Sequence, residues 1–169
     1  CMLGKAHLCT NTTYPGINFD GGFAEYVTVP AKICWINPPD LPVPVAAMME
    51  PFGISVHATL AGSGVSGKSV LVNGCGPIGL MNVAAARALG ATKIIACDLN
   101  PLRLRTAKKM GADRIINAEE ENLSSITADM TTGFGVDVAI EYSGSEAGFN
   151  ACFESLSKGG DFRLVGAPP

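Results

Sequence analysis

Residues 70–80 read VLVNGCGPIGL, a valine-rich run followed at once by Gly74, Gly76 and Gly79 in the spacing Gly-x-Gly-x-x-Gly. Three glycines alone make only a Gly-rich turn. Here an apolar strand-like run precedes them and Pro77 opens a stretch of helix formers, so the motif stands between a strand and a helix. Each glycine then answers a physical demand. Gly74 makes the tight turn, Gly76 lets the backbone approach a pyrophosphate, and Gly79 lets helix and strand pack closely. Pro77 suits the first helical position, where its missing N–H costs nothing. Ile78 and Gly79 follow it with free N–H groups at the positive end of the helix dipole.

The stretch KIIACD reads as the next strand and ends in Asp98, 19 residues past Gly79. A carboxylate there accepts hydrogen bonds from the adenosine ribose and repels a 2′-phosphate, which favours NAD over NADP. Arg103 could flank the adenine side, and it keeps NADP open as the alternative. Asn100, Pro101 and Gly111 supply N-cap, first-turn and C-terminal signals for a second helix. RIIN, a helix near residues 122–130, VDVAIEY, a helix near 146–157 and FRLVG continue the alternation. The fold class is therefore α/β, a Rossmann-type doubly wound parallel sheet of five strands. Ligands of such sheets lie outside the carboxyl ends of the strands. That rule places Ser143 and Gly144, and then Val165, Gly166 and Ala167, on the same crevice.

Upstream the rhythm differs. GGFAEYVTVPA, residues 21–31, carries Phe23, Tyr26, Val27 and Val29 and predicts a strand. Trp35 and Phe52 are expected in a core or crevice wall. Four prolines between residues 38 and 44 predict a linker, followed by a helix from Val45 to about Leu60. Pro51 inside it should break or kink the helix at Glu50 and leave that carboxylate at a discontinuity.

Composition narrows the function. Apolar residues make up 47% and charged residues 16%, which suits a buried core and excludes a disordered chain. A net charge of −3 with no basic stripe argues against nucleic acid and anionic membrane surfaces as partners. No apolar run reaches the roughly 18 residues of a membrane span, and no signal-peptide pattern opens the chain. Six scattered cysteines read as free thiols of a reducing cytosol. The Glu119–Glu121 run reads as a solvated approach to a helix.

Together GKAHLC, GGFAEYVTVPA, EPFGISVHA, GCGPIGL, CDLNPLRL, KKMGAD and LVGAPP resemble the zinc-dependent medium-chain alcohol dehydrogenase family along the whole chain. The resemblance implies oxidation of a small alcohol or amino-alcohol by hydride transfer to NAD, with zinc. It implies a homo-oligomer, dimer or tetramer. It implies an internal piece: residues 1–50 as the tail of a mostly-β, GroES-like catalytic domain, and 51–169 as an NAD-binding domain short of its C-terminal end. Cys1 and Cys9, with seven residues between them, would be the third and fourth thiolates of a structural zinc lobe, closed only by four. Glu50 would lie beside the catalytic zinc, as a ligand or in a proton relay. Ile78 and Gly79 would meet the pyrophosphate, Asp98 and Arg103 the adenosine, and Val165–Ala167 the nicotinamide carboxamide.

Overall fold

The three central strands, Ser69–Asn73, Lys93–Asp98 and Val136–Glu141, are apolar on both faces, and helices cover both faces of the sheet they build. In the computed structural model, which describes residues 6–167, the elements after the proline-rich stretch alternate without exception. They are α1 (Val43–Leu60), β1 (Ser69–Asn73), α2 (Pro77–Ala88), β2 (Lys93–Asp98) and α3 (Pro101–Lys109). They continue as β3 (Arg114–Asn117), α4 (Leu123–Met130), β4 (Val136–Glu141), α5 (Glu146–Ser155) and β5 (Leu156–Leu164). All five strands are parallel in the order β3-β2-β1-β4-β5. The order reverses direction at β1, which is where an open α/β sheet parts into a crevice.

Strand periodicity explains why both faces are dry. Val70, Val72, Ile94, Ala96, Val138 and Ile140 point to one side and pack with Val83 and Ala86 of α2 and Ala107 of α3. Leu71, Ile95, Cys97 and Ala139 point to the other, against Leu123 of α4 and Cys152 of α5. Burying each large aliphatic side chain stabilises the fold by about 1.5–3 kcal/mol. The helix starts are set by side chains: Asn100 accepts from the N–H groups of Leu102 and Arg103, Asn122 from Ser125, and Ser145 from Gly148.

The structure divides into two compact units, one ending at Leu41 and one beginning at Pro42. The expected boundary between residues 50 and 51 does not coincide with the end of an element, since both lie in α1. Nor does Pro51 break that helix, which runs through it. One proline removes a single backbone donor, and the turns on either side hold the rest.

The first unit departs furthest from expectation. Residues 21–31 form no strand; the unit's described secondary structure is two short 3-10 helices and one isolated bridge, Pro15 to Phe19. Phe23 and Tyr26 stand exposed, and so does Trp35 at 89%. Phe52 on α1 is also exposed, at 43%. β-Propensity measures the fit to a half-buried pleated surface, and a lone segment with no paired neighbour has none.

Candidate functional site

The three motif glycines are required for three different reasons. Gly74 has φ +95°, and a Cβ there would lie 2.7 Å from the Ser143 amide nitrogen, so the β1 turn presses on the β4 turn. A Cβ on Gly79 would lie 1.9 Å from the Gly74 carbonyl oxygen, so no other residue lets α2 sit this close to the turn. Gly76 is different. Its φ of −64° suits any residue, and a Cβ would meet no atom within 4 Å. The protein itself does not need a glycine there. The space above that backbone is what a bound pyrophosphate would fill.

Gly76 is also the N-cap of α2, and no side chain caps it. Pro77 has no N–H to offer, which leaves those of Ile78 and Gly79 as the first donors at the helix end. The Cys75 N–H is already engaged: it donates to Asp98 Oδ2 at 2.7 Å. Asp98, its side chain only 7% exposed, also accepts from the Asn100 N–H through Oδ1 at 2.8 Å. The Arg103 guanidinium stands 3.7 Å from Oδ2. Asp98 thus braces the Gly74–Gly76 turn from below, and each oxygen keeps a lone pair for a further donor. Burial, with the Asp98 charge adding to it, pushes the Cys75 and Cys97 thiols up to about 12. They are uncharged packing groups rather than nucleophiles.

At the far side of β1 two strand ends interlock. Gly144 has φ +68°, and a Cβ there would lie 2.4 Å from the Ala167 carbonyl oxygen; one on Gly166 would lie 2.4 Å from the Gly144 nitrogen. The Val165 and Gly166 N–H groups donate to the Glu141 carbonyl at 2.9 and 2.8 Å. Beneath both turns lies the fully buried Glu141 side chain, which accepts from Ser143 N (2.6 Å), Gly144 N (3.0 Å) and the Ser143 hydroxyl.

A crevice of about 830 Å³ opens at the ends of β1, β2 and β4, with no lining residue from Pro77–Gly79 or Val165–Ala167. It gathers Gly74, Gly76, Asp98, Arg103 and Ser143 from the expected set. It adds residues that the sequence reading did not select: Asn73, Asn100, Tyr142, Glu119 and Glu121. Glu121 is paired with Arg114, so that part of the acidic run is not simply solvated. The Tyr142 hydroxyl is buried without a partner, and burial raises its pKa. The signal for Glu141 and Tyr142 was present in VDVAIEYSGS, where a strand ends on an acid and an aromatic just before a glycine turn.

Other expected residues fall elsewhere. Glu50 is exposed on α1 and does not line the crevice. Cys9, in the first unit, is half-buried beside Thr12, whose N–H and hydroxyl donate to the Cys9 carbonyl. Cys1 lies outside the described residues. Among the described residues no group of three or more His, Cys, Asp or Glu could hold a metal ion. They do not by themselves make a zinc centre.

A parallel sheet whose first βα turn leaves room over Gly76, with an acid closing the second strand, defines a nucleotide-binding α/β domain. The chain belongs to the zinc-binding dehydrogenase family, whose model matches residues 77–169. It is 43% identical to L-threonine 3-dehydrogenase of Bacillus velezensis over 168 residues, 99% of this chain and 48% of that protein. Galactitol-1-phosphate dehydrogenase from Escherichia coli superposes with a TM-score of 0.91 at 29% identity, over 99% of this chain and 49% of that one. A zinc-binding dehydrogenase from Sinorhizobium meliloti bound to NADP superposes with a TM-score of 0.90 at 32% identity, over 100% and 50%. The chain thus spans about half the length of the relatives it matches.

Proposed function

We propose that the whole protein is an NAD-dependent dehydrogenase that oxidises a secondary alcohol by hydride transfer, with L-threonine as substrate and 2-amino-3-ketobutyrate as product. The observation that carries the cofactor reading is the open space above Gly76, flanked by the braced carboxylate of Asp98. The substrate reading rests on the likeness to L-threonine 3-dehydrogenase.

NAD⁺, when bound, supplies the hydride acceptor, so the alcohol carbon is oxidised by two electrons and its hydroxyl proton is released. In this reading the chain's own residues bind and orient. Gly74, Gly76 and Pro77 shape the phosphate turn, and the Ile78 and Gly79 N–H groups bind the pyrophosphate. Asp98 accepts from the adenosine ribose, Arg103 flanks it, and Ser143 with Val165, Gly166 and Ala167 receives the nicotinamide half. Cys1 and Cys9 are the positions proposed to stand toward a structural zinc of the whole protein, and Glu50 toward its catalytic zinc. Residues up to 50 belong to its catalytic domain and those from 51 to its NAD-binding domain. It works as a dimer or tetramer in a reducing cytosol.

A second reading, a dehydrogenase of a sugar alcohol or diol, is favoured by the superposition on galactitol-1-phosphate dehydrogenase. A third holds for this stretch by itself, an NAD-binding module without turnover. One experiment separates them: NADH formation by the whole protein on L-threonine, sorbitol and 2,3-butanediol, with and without a zinc chelator, beside NAD⁺ titration of residues 1–169. Chelator-sensitive turnover on threonine is the expected result. Turnover only on a polyol or diol refutes the substrate, and failure to bind NAD⁺ refutes the cofactor.

A further inference from the structure

Glu141 is a carboxylate at 0% exposure, and burying one is costly unless donors surround it. None of the Lys and Arg ion pairs among the described residues includes it. Its partners are three donors of one turn. Oε1 takes the Ser143 N–H at 2.6 Å and the Ser143 hydroxyl, and Oε2 takes the Gly144 N–H at 3.0 Å. The same Oε2 would lie 2.7 Å from any Cβ added at Gly166. The carboxylate therefore sits under the β4 turn and against the β5 turn at once. The strand order puts β4 and β5 across β1 from Asp98, with β5 at the sheet edge.

We infer that Glu141 is a positioning residue for the dinucleotide: its buried carboxylate holds the Ser143–Gly144 turn in shape, and that turn is packed against the Val165–Ala167 turn, whose Val165 and Gly166 N–H groups bond the Glu141 backbone carbonyl. This rests on the reading of the crevice as an NAD site. It adds that the nicotinamide end of that site is held by an acid that never touches the ligand. A glutamine has the right shape but fails chemically. Both oxygens receive a backbone N–H, so whichever way the amide turns, its NH₂ faces a donor and one N–H loses its acceptor.

The test is E141Q in the whole protein, titrated separately with NAD⁺ and with AMP. AMP needs only the Asp98 side of the crevice. NAD⁺ affinity is expected to fall about tenfold to a hundredfold, with AMP affinity within about twofold of wild type. E141D, which keeps the charge but falls one methylene short of the turn, should show the same split at about threefold, and it decides the matter if E141Q does not fold. Equal losses for NAD⁺ and AMP would assign Glu141 a general structural role and overturn the inference, as would no loss for either. A wild type that binds AMP but not NAD⁺ would also overturn it. Binding of neither would fell the NAD reading itself and this inference with it.

Discussion

Replacing Gly76 and Gly79 by alanine should have opposite consequences, although the two lie three residues apart in one motif. At Gly79 a Cβ would sit 1.9 Å from the Gly74 carbonyl oxygen and 3.0 Å from its carbon. Neither atom belongs to a flexible side chain, so α2 must move away from the turn. Overpacking of this kind costs about 1–3 kcal/mol. For a chain of this length that lowers Tm on the order of 2–12 °C. At Gly76 the new methyl meets nothing within 4 Å, and φ of −64° is ordinary for alanine. The unfolded chain loses entropy worth about 0.4–1 kcal/mol, offset in part because alanine is a poorer N-cap than glycine. G76A should therefore melt within about 2 °C of wild type. Its methyl nevertheless occupies the space left for the pyrophosphate, and losing one charge-assisted hydrogen bond weakens NAD⁺ binding about tenfold to a hundredfold. Differential scanning calorimetry and NAD⁺ titration on both variants give four numbers. G76A that melts normally and binds NAD⁺ like wild type would refute the pyrophosphate assignment. G79A with an unchanged Tm would refute the close approach of helix and turn.

Three further outcomes are expected. Arg163, its side chain 8% exposed, donates to the carbonyls of Ala58 (2.7 Å), Thr59 (3.0 Å) and Gly64 (3.0 Å). R163M should orphan the end of α1 and cost about 2–4 kcal/mol in urea unfolding, and a loss below about 0.5 kcal/mol would show those bonds to be replaceable. Burial works to raise the Asp113 pKa, but the Ile94 N–H and the Arg87 guanidinium outweigh it and hold the carboxyl below its usual value. Its contribution is then present above the ordinary carboxylate range and lost as pH falls through the lowered value. The stability gap between wild type and D113N should accordingly close on acidification below about pH 4, and a gap that persists there contradicts the assignment. Finally, Cys75 and Cys97, pushed up to about 12, and Cys152, raised by burial, should resist iodoacetamide at about pH 8 until the protein unfolds. Exposed Cys34 should alkylate at once, as mass spectrometry of the labelled peptides would show.

Much of the nucleotide-binding half was legible because its signals are local. Strand burial, the cap at Asn100 and the spacing from Gly79 to Asp98 are properties of nearby residues. The expected strands at Lys93–Asp98 and Arg114–Asn117 match β2 and β3 residue for residue. The failures come where a rule for single residues leaves out their neighbours. Residues 21–31 have strand propensity, yet a strand exists only beside another strand, and propensity does not say which neighbour is present. Pro51 is a helix breaker by rule, but the turns around it keep α1 whole.

What the sequence determined by itself was therefore the alternation, the parallel sheet, the glycine turn between β1 and α2 and the acid that closes β2. Hydrophobic period and turn chemistry are written within a few residues of one another. Tertiary structure decided how Asp98 divides its oxygens between Cys75 and Asn100. It also decided why Gly79 must be glycine while Gly76 need not be for the fold, and that Glu141 lies buried under two turns. Those depend on residues tens of positions apart, such as Gly166 against Gly144 and Gly74 against Ser143. Only the folded backbone brings such pairs within van der Waals reach, so no local pattern could announce them.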